Sequence, residues 1–129
     1  MREIKFRGRP IEKYGTNLLY GSVFLDFAEK IAYIESVSHR PIPVHFESVG
    51  EYTGLKDKNG REIYEGDILN CQDECHPFVK NWNGQVKMID GGWFCEIGEN
   101  KIFIGYSEDE VEVIGNIYEH PHLLNEVTT

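Results

Sequence analysis

The residues with the clearest capacity for chemistry are two cysteines and a histidine in the middle of the chain. Cys71, Cys75 and His76 form a Cys-x3-Cys-His pattern, which offers two thiolates and an imidazole, the ligand types that zinc prefers. A structural zinc site needs four ligands, commonly in two close pairs, and the sequence has no second close cysteine pair. The remaining candidate ligands are remote in sequence: Cys95, His120 and His122. Because the ligand set is incomplete, we predict no metal and no cofactor, with zinc left open at this segment.

Nucleophilic and acid–base chemistry is poorly supported. His76 follows Cys75 directly, and adjacent residues of a strand point to opposite faces, so the imidazole is badly placed to take the thiol proton. Carboxylate pairs such as Glu65 with Asp67 are expected by chance in an acidic chain. The sequence contains no phosphate-binding glycine loop, no HExxH and no GxSxG. We therefore predict that the protein is not an enzyme.

Composition and cysteine count indicate a globular protein of a reducing compartment. Apolar residues make up 40% of the 129 residues, which is typical of globular chains. Three cysteines with no framework spacing predict free thiols. No apolar run approaches the roughly 18 residues that would span a bilayer, and residues 1–7 alternate in polarity where a secretory signal would be apolar. These features predict a cytoplasmic protein that does not bind membranes.

The net charge of -9 is unevenly distributed. Residues 1–46 hold seven Lys/Arg and five Asp/Glu, whereas residues 47–129 hold six and seventeen. An acidic body repels phosphate backbones, so nucleic-acid binding is disfavoured and a basic protein partner suits it better. The alternative is a basic N-terminal strip with interleaved aromatic residues, which would contact nucleic acid, protect an edge strand or meet the acidic body of a second copy in a homo-oligomer. Its members are Arg2, Lys5, Phe6, Arg7, Arg9, Lys13 and Tyr14.

Periodicity in the first 50 residues predicts strands. Residues 18–27 and 31–37 are rich in aromatic and β-branched residues and alternate in polarity, which favours a β-hairpin. A helix over 24–35 is the competing interpretation, because some apolar residues there also fit helical spacing. Pro41 and Pro43 predict an edge strand or the entry to a strand.

The second half shows short strands separated by Gly/Asn turns, for example at Asn59-Gly60 and Asp90-Gly91-Gly92. The predicted fold is mainly β: an SH3-like small antiparallel barrel over residues 51–129, with an N-terminal β-hairpin extension over residues 1–50, together forming one unit. The predicted strands of the barrel cover residues 67–71, 86–89, 93–97, 102–106 and 111–117.

The most distinctive segment is EYTGLKDKNGREIYEGDI, at residues 51–68. It resembles the signature of the YopX-like family of phage and prophage proteins, as do MREIKFR at residues 1–7 and VEVIGNIYEHP at residues 111–121, followed by Leu123 and Leu124. The resemblance implies a β-rich fold with an SH3-like barrel and carriage on a bacterial virus or prophage, and it implies no particular chemistry. Residues 72–81 and the segment after Pro10 depart from the pattern.

The residue types of the signature indicate a structural role in forming turns and core. Gly54, Gly60 and Gly66 recur every six residues, a spacing suited to turns. The functional alternative is an exposed recognition loop formed by Lys56, Asp57, Lys58, Arg61 and Tyr64. Barrels of this kind often bind through aromatic side chains, and the candidates are Tyr64, Trp82, Trp93 and Tyr106. The sequence thus predicts a non-enzymatic accessory protein that binds a host or phage protein.

Overall fold

The computed structural model describes residues 3–12, 18–71, 82–105 and 110–125. Within these ranges the chain is built of β-strands and two short 3-10 helices, Phe46–Ser48 and Pro121–Asn125, and contains no α-helix. The chain divides into two compact units, Met1–Tyr52 and Thr53–Thr129. The strands are β1 (Phe6–Gly8), β2 (Leu19–Asp26), β3 (Ile31–Ser36), β4 (His39–Val44), β5 (Gly50–Lys56), β6 (Glu62–Tyr64), β7 (Asp67–Cys71), β8 (Trp82–Ile89), β9 (Gly92–Ile97), β10 (Asn100–Phe103) and β11 (Glu112–Asn116).

The strands form antiparallel sheets, which confirms the predicted mainly β fold class. In the first unit the strand order is β4-β3-β2-β1-β5, and β5 continues into the second unit, where its neighbour is β6. The other sheet of the second unit has the order β10-β9-β8-β7-β11. The SH3-like form of this unit is compatible with that order and stays a prediction.

The predicted hairpin over residues 18–37 is confirmed as β2 and β3, and the competing helix over 24–35 is wrong. Val23 lies opposite Ile34, and Leu25 lies opposite Ala32. Their side chains contribute to the core of the first unit. The connection is a tight turn in which the Asp26 carboxylate accepts hydrogen bonds from two following backbone N–H groups, each at 3.0 Å. The two-residue alternation therefore outweighs the weaker helical spacing, because only it buries one complete face.

The sheet of the first unit is closed by pairing between the segment after β1 and the end of β4. The Ile11 N–H donates to the Pro43 carbonyl at 3.1 Å, and the His45 N–H donates to the Arg9 carbonyl at 2.8 Å. Pro43 lies in β4, the last of the named strands in the order, and it is paired on its outer side only as an acceptor, through its carbonyl. The core under this sheet contains Phe6, Leu19, Val23, Leu25, Ala32, Ile34, Val44, Phe46 and Val49.

The second unit contains the five strands predicted between residues 67 and 117, with shifted ends. Strand β8 begins at Trp82, four residues earlier than predicted, because Trp82 and Asn83 pair with Cys71 and Asn70 of β7. The β8–β9 turn is confirmed, with positive φ at Asp90 (49°) and at the glycine after it (82°). The core of this unit contains Leu55, Ile63, Leu69, Cys71, Trp82, Val86, Trp93, Cys95, Ile97, Ile102, Ile104, Val111 and Val113.

Candidate functional site

The loop after β5 is held by the carboxylate of Asp57, which is only 6% exposed. Its Oδ1 accepts hydrogen bonds from the N–H groups of Asn59 and Arg61, both at 2.9 Å. Its Oδ2 accepts from the N–H of Val113 in β11, also at 2.9 Å. The side chain therefore closes its own turn and ties that turn to a strand 56 residues later in the sequence. Asp57 is a structural residue, and the prediction that it belongs to an exposed recognition surface is wrong.

The rest of the signature supports the architectural interpretation. Gly54, Gly60 and Gly66 all have positive φ, at 85°, 82° and 91°, a conformation that side-chain-bearing residues adopt at a cost. The buried Asp67 carboxylate accepts the N–H of Tyr64 at 2.8 Å. Three cations of the predicted loop remain exposed, and they are Lys56, Lys58 and Arg61.

Three of the four aromatic candidates are buried, which corrects their assignment to a binding surface. Trp82 is fully buried, and Trp93 and Tyr64 also lie in the interior of the second unit. Their large apolar surfaces fill the small core, where each stabilises the fold more than it would on the exterior. Tyr106 lies outside the described residues.

The predicted basic strip does not form a continuous surface. Arg7 is 3% exposed. The Lys5 ammonium lies 3.3 Å from the Glu3 carboxylate and 5.2 Å from the centroid of the Tyr52 ring. Arg9 is exposed. Arg2, Lys13 and Tyr14 lie outside the described residues, so the described part of the strip offers few cations to a phosphate backbone.

The first unit carries an exposed apolar surface that sequence reasoning missed. Phe24 is 61% and Phe27 is 68% exposed. Across the sheet, Phe24 lies opposite Tyr33, which in turn lies opposite Pro43, so three neighbouring strands place a ring side by side. The Phe24 and Tyr33 ring centroids are 6.3 Å apart. We use the name apolar surface of the first unit for these rings together with the other large exposed side chains around them. Its exposed members are Ile11, Tyr20, Phe24, Phe27 and Ile31.

A cleft of about 380 Å³ lies beside this surface, and we call it the Phe46 cleft. Phe46 forms one wall, and the Phe27 ring packs edge-on against it with centroids 5.5 Å apart. The Lys30 ammonium lies 5.1 Å from the centroid of the Phe46 ring, within the range of a cation–π contact. The cleft is lined by Ile11, Lys30, Ile31, Ala32, Tyr33, Pro43, Val44, His45, Phe46 and Glu47.

Comparison with known proteins places the chain in a family. The family model described as YopX protein matches residues 11–125. The chain belongs to the YopX family. It is similar to the crystal structure of protein EF1440 from Enterococcus faecalis, with 26% identity, a TM-score of 0.60, and coverage of 96% of this chain and 99% of that chain. It is also similar to the crystal structure of protein yopX from Bacillus subtilis, with 19% identity, a TM-score of 0.62, and coverage of 96% and 98%. No curated protein matches the chain.

The cysteines of this YopX protein differ from the sequence prediction. Cys71 is disulfide-bonded, so the prediction of free thiols is wrong for this residue. The prediction used the odd number of cysteines, but an odd number shows only that one cysteine must stay unpaired, and it is compatible with one disulfide. Cys95 is a free, buried thiol. Burial, and to a lesser extent the charge of Glu96, raises the pKa of Cys95 far above its usual range. A buried, protonated thiol is unreactive and a disulfide sulfur is not a thiolate ligand.

Metal-binding groups do not converge in the part of this YopX protein that the structure describes. No three His, Cys, Asp or Glu side chains there are grouped closely enough to hold an ion. Cys75 and His76 lie outside that part. His120 is engaged locally, since its Nδ1 accepts the N–H of Asn116 at 3.3 Å. Among the described residues, no helix is long and apolar enough to cross a membrane.

Proposed function

We propose that this YopX protein is a phage- or prophage-encoded accessory protein that works by binding another protein, without catalysing a reaction. The contact is made through the apolar surface of the first unit. One observation carries the proposal: of nine large apolar side chains that are exposed among the described residues, seven lie in the first unit, and five of those seven are members of this surface.

Exposure of this kind favours association. Burying a phenylalanine side chain contributes about 1.5–3 kcal/mol relative to leaving it in water, so Phe24 and Phe27 would gain substantially from a partner. Contiguous exposed apolar patches on small proteins commonly mark interaction sites, and aromatic residues are enriched where binding energy concentrates. In its described segments, the second unit exposes only two large apolar side chains, Met88 and Phe103.

Binding is favoured over catalysis by the chemistry of the described side chains. The Asp57 and Asp67 carboxylates are engaged by backbone N–H groups, and the Cys95 thiol is buried. Protein binding is favoured over nucleic-acid binding by the net charge of -9 and by the burial of Arg7. The family resemblance supports the phage or prophage setting.

The test is an affinity pull-down of the tagged full chain from bacterial lysate, with and without nuclease, read by mass spectrometry. Wild type is compared with Phe24→Ser, which removes an exposed ring of the apolar surface. The matched control is Met88→Ser, because Met88 is an exposed apolar residue of the second unit. We expect one protein to be enriched with wild type and with Met88→Ser in both nuclease conditions, and to be lost with Phe24→Ser.

Two results would count against the proposal. Enrichment that disappears with nuclease would move nucleic-acid binding to first place. Capture that survives Phe24→Ser but fails with Met88→Ser would place the contact on the second unit.

A further inference from the structure

The Phe46 cleft combines an apolar floor with a lysine ammonium that makes no ion pair. Its apolar lining includes Ile11, Ile31, Val44 and Phe46. Within the described ranges of the chain, no carboxylate lies within 4 Å of the Lys30 ammonium, which lies over the ring of Phe46. The ammonium therefore makes no ion pair within 4 Å, although the Glu47 carboxylate lines the same cleft.

The position of Lys30 is set by the backbone. Lys30 closes the β2–β3 turn with a φ of 57°, immediately before strand β3 begins at Ile31. The turn is braced by the Asp26 carboxylate, which accepts the N–H groups of Ala28 and Glu29. A cation held by a braced turn against an aromatic ring loses less conformational freedom when it pairs with a ligand than a freely extended lysine does.

The other polar groups of the cleft complement a peptide. His45 and Glu47 line it on the side of the 3-10 helix, and Tyr33 lines it from β3. The Glu47 carboxylate can accept a backbone N–H of a bound segment, and the Tyr33 hydroxyl can donate to one of its carbonyls. An anionic ligand group would be attracted to Lys30 and would avoid Glu47, which defines a direction for the segment across the cleft.

We infer that the Phe46 cleft binds an acidic peptide segment of a partner protein, by taking one aromatic or branched aliphatic side chain onto its floor while an adjacent carboxylate pairs with Lys30. This inference rests on the proposed protein-binding function and specifies the chemistry of the partner. All residues of the cleft except Glu47 lie within residues 1–46, which hold seven Lys/Arg and five Asp/Glu, so the acidic segment replaces, at this site, the basic partner that the net charge of the whole chain favoured. A volume of about 380 Å³ is near the lower end of the range of about 300–1,000 Å³ for ligand pockets, which suits a side chain with its flanking backbone.

The experiment is selection from a random heptapeptide library displayed on beads, using the fluorescently labelled full chain at low ionic strength. Wild type is compared with Lys30→Glu, which reverses the charge at the cleft. The matched control is Lys56→Glu, because Lys56 is an exposed lysine on a strand that does not line the cleft. Peptides enriched by wild type are resynthesised, and their dissociation constants are measured by fluorescence polarisation.

We expect wild type and Lys56→Glu to enrich peptides that have an aromatic or aliphatic residue within two positions of Asp or Glu. The same peptides should bind Lys30→Glu roughly tenfold more weakly, since an attraction at a partly exposed site is replaced by a repulsion. Raising the salt concentration should weaken wild-type binding and should reduce the difference between the two proteins.

Enriched peptides without an acidic preference, or equal affinity of wild type and Lys30→Glu, would overturn the inference. If those peptides still lose binding with Phe24→Ser, the proposed function survives without the acidic partner. No enrichment at all would also overturn the inference, and the pull-down with Phe24→Ser would then decide the proposed function separately. Sedimentation velocity showing an assembly that Lys30→Glu dissociates would overturn it in favour of a second copy as the occupant.

Discussion

Removal of the Asp57 carboxylate should destabilise the second unit strongly. Asp57→Ala leaves three backbone N–H groups without their acceptor. The N–H of Val113 donates in a buried bond, and stranding such a group costs about 1–3 kcal/mol. The N–H groups of Asn59 and Arg61 are partly buried, and water replaces part of each bond, so each adds about 0.5–1 kcal/mol. The expected total is about 2–5 kcal/mol.

Urea unfolding followed by tryptophan fluorescence measures this loss in the correct unit. The two tryptophans of the chain, Trp82 and Trp93, both lie in the core of the second unit, so their emission reports its unfolding. The matched control is Glu112→Ala, which removes a carboxylate that accepts the exposed side-chain amide of Asn59 at 3.2 Å. Because this bond is exposed to solvent, its loss should change the free energy of unfolding by less than about 0.5 kcal/mol.

A conservative variant separates the hydrogen bonds from the charge. In Asp57→Asn one oxygen remains to accept the two turn N–H groups, while the amide nitrogen faces the N–H of Val113 and cannot accept from it. The cost should be intermediate, about 2 kcal/mol. The reasoning is refuted if the free energy of unfolding of Asp57→Ala lies within about 0.5 kcal/mol of the wild-type value. Water would then replace the three lost hydrogen bonds without a cost in stability.

Three further predictions concern packing and exposure. Gly21→Ala would place a Cβ 2.1 Å from the backbone oxygen of Glu35, so amide hydrogen exchange in β2 and β3 should accelerate by orders of magnitude. Gly60→Ala has no atom within 4 Å of its Cβ and should cost about 1–2 kcal/mol of stability from its positive φ alone. Equal losses of stability in the two variants would contradict the clash at Gly21. Cys95 should resist alkylation at pH 8 in the folded protein and react fully in denaturant, since burial raises its thiol pKa and keeps it protonated. Rapid labelling of the native protein, measured by mass spectrometry, would contradict this by showing that the thiol is accessible. Phe24→Ser should change the free energy of unfolding by less than about 0.5 kcal/mol, because the ring is 61% exposed. A large loss of stability, measured by thermal unfolding, would mean that Phe24 belongs to the core.

Much of the fold followed from local patterns in the sequence. Alternating polarity in β2 and β3 specified the hairpin, since one face of a two-residue repeat must be buried. Gly60, Gly66 and the Asp90-Gly91 pair marked turns. The backbone has positive φ at these positions, a conformation that glycine adopts at little cost and most other residues adopt only with strain. Pro43 indicated a strand at the end of the sheet order for an equally local reason, because it has no N–H group to donate; its neighbour Ile11 donates to the Pro43 carbonyl instead.

The candidate site was decided by the tertiary structure. Whether Asp57 recognises a partner or holds the fold depends on the N–H of Val113, 56 residues away, and no local pattern contains that contact. Trp82 and Phe24 are both large aromatic residues on strands, yet one is fully buried and the other is 61% exposed. Periodicity shows that the faces of a strand differ, but burial depends on which distant element covers each face, and that is a property of the folded chain.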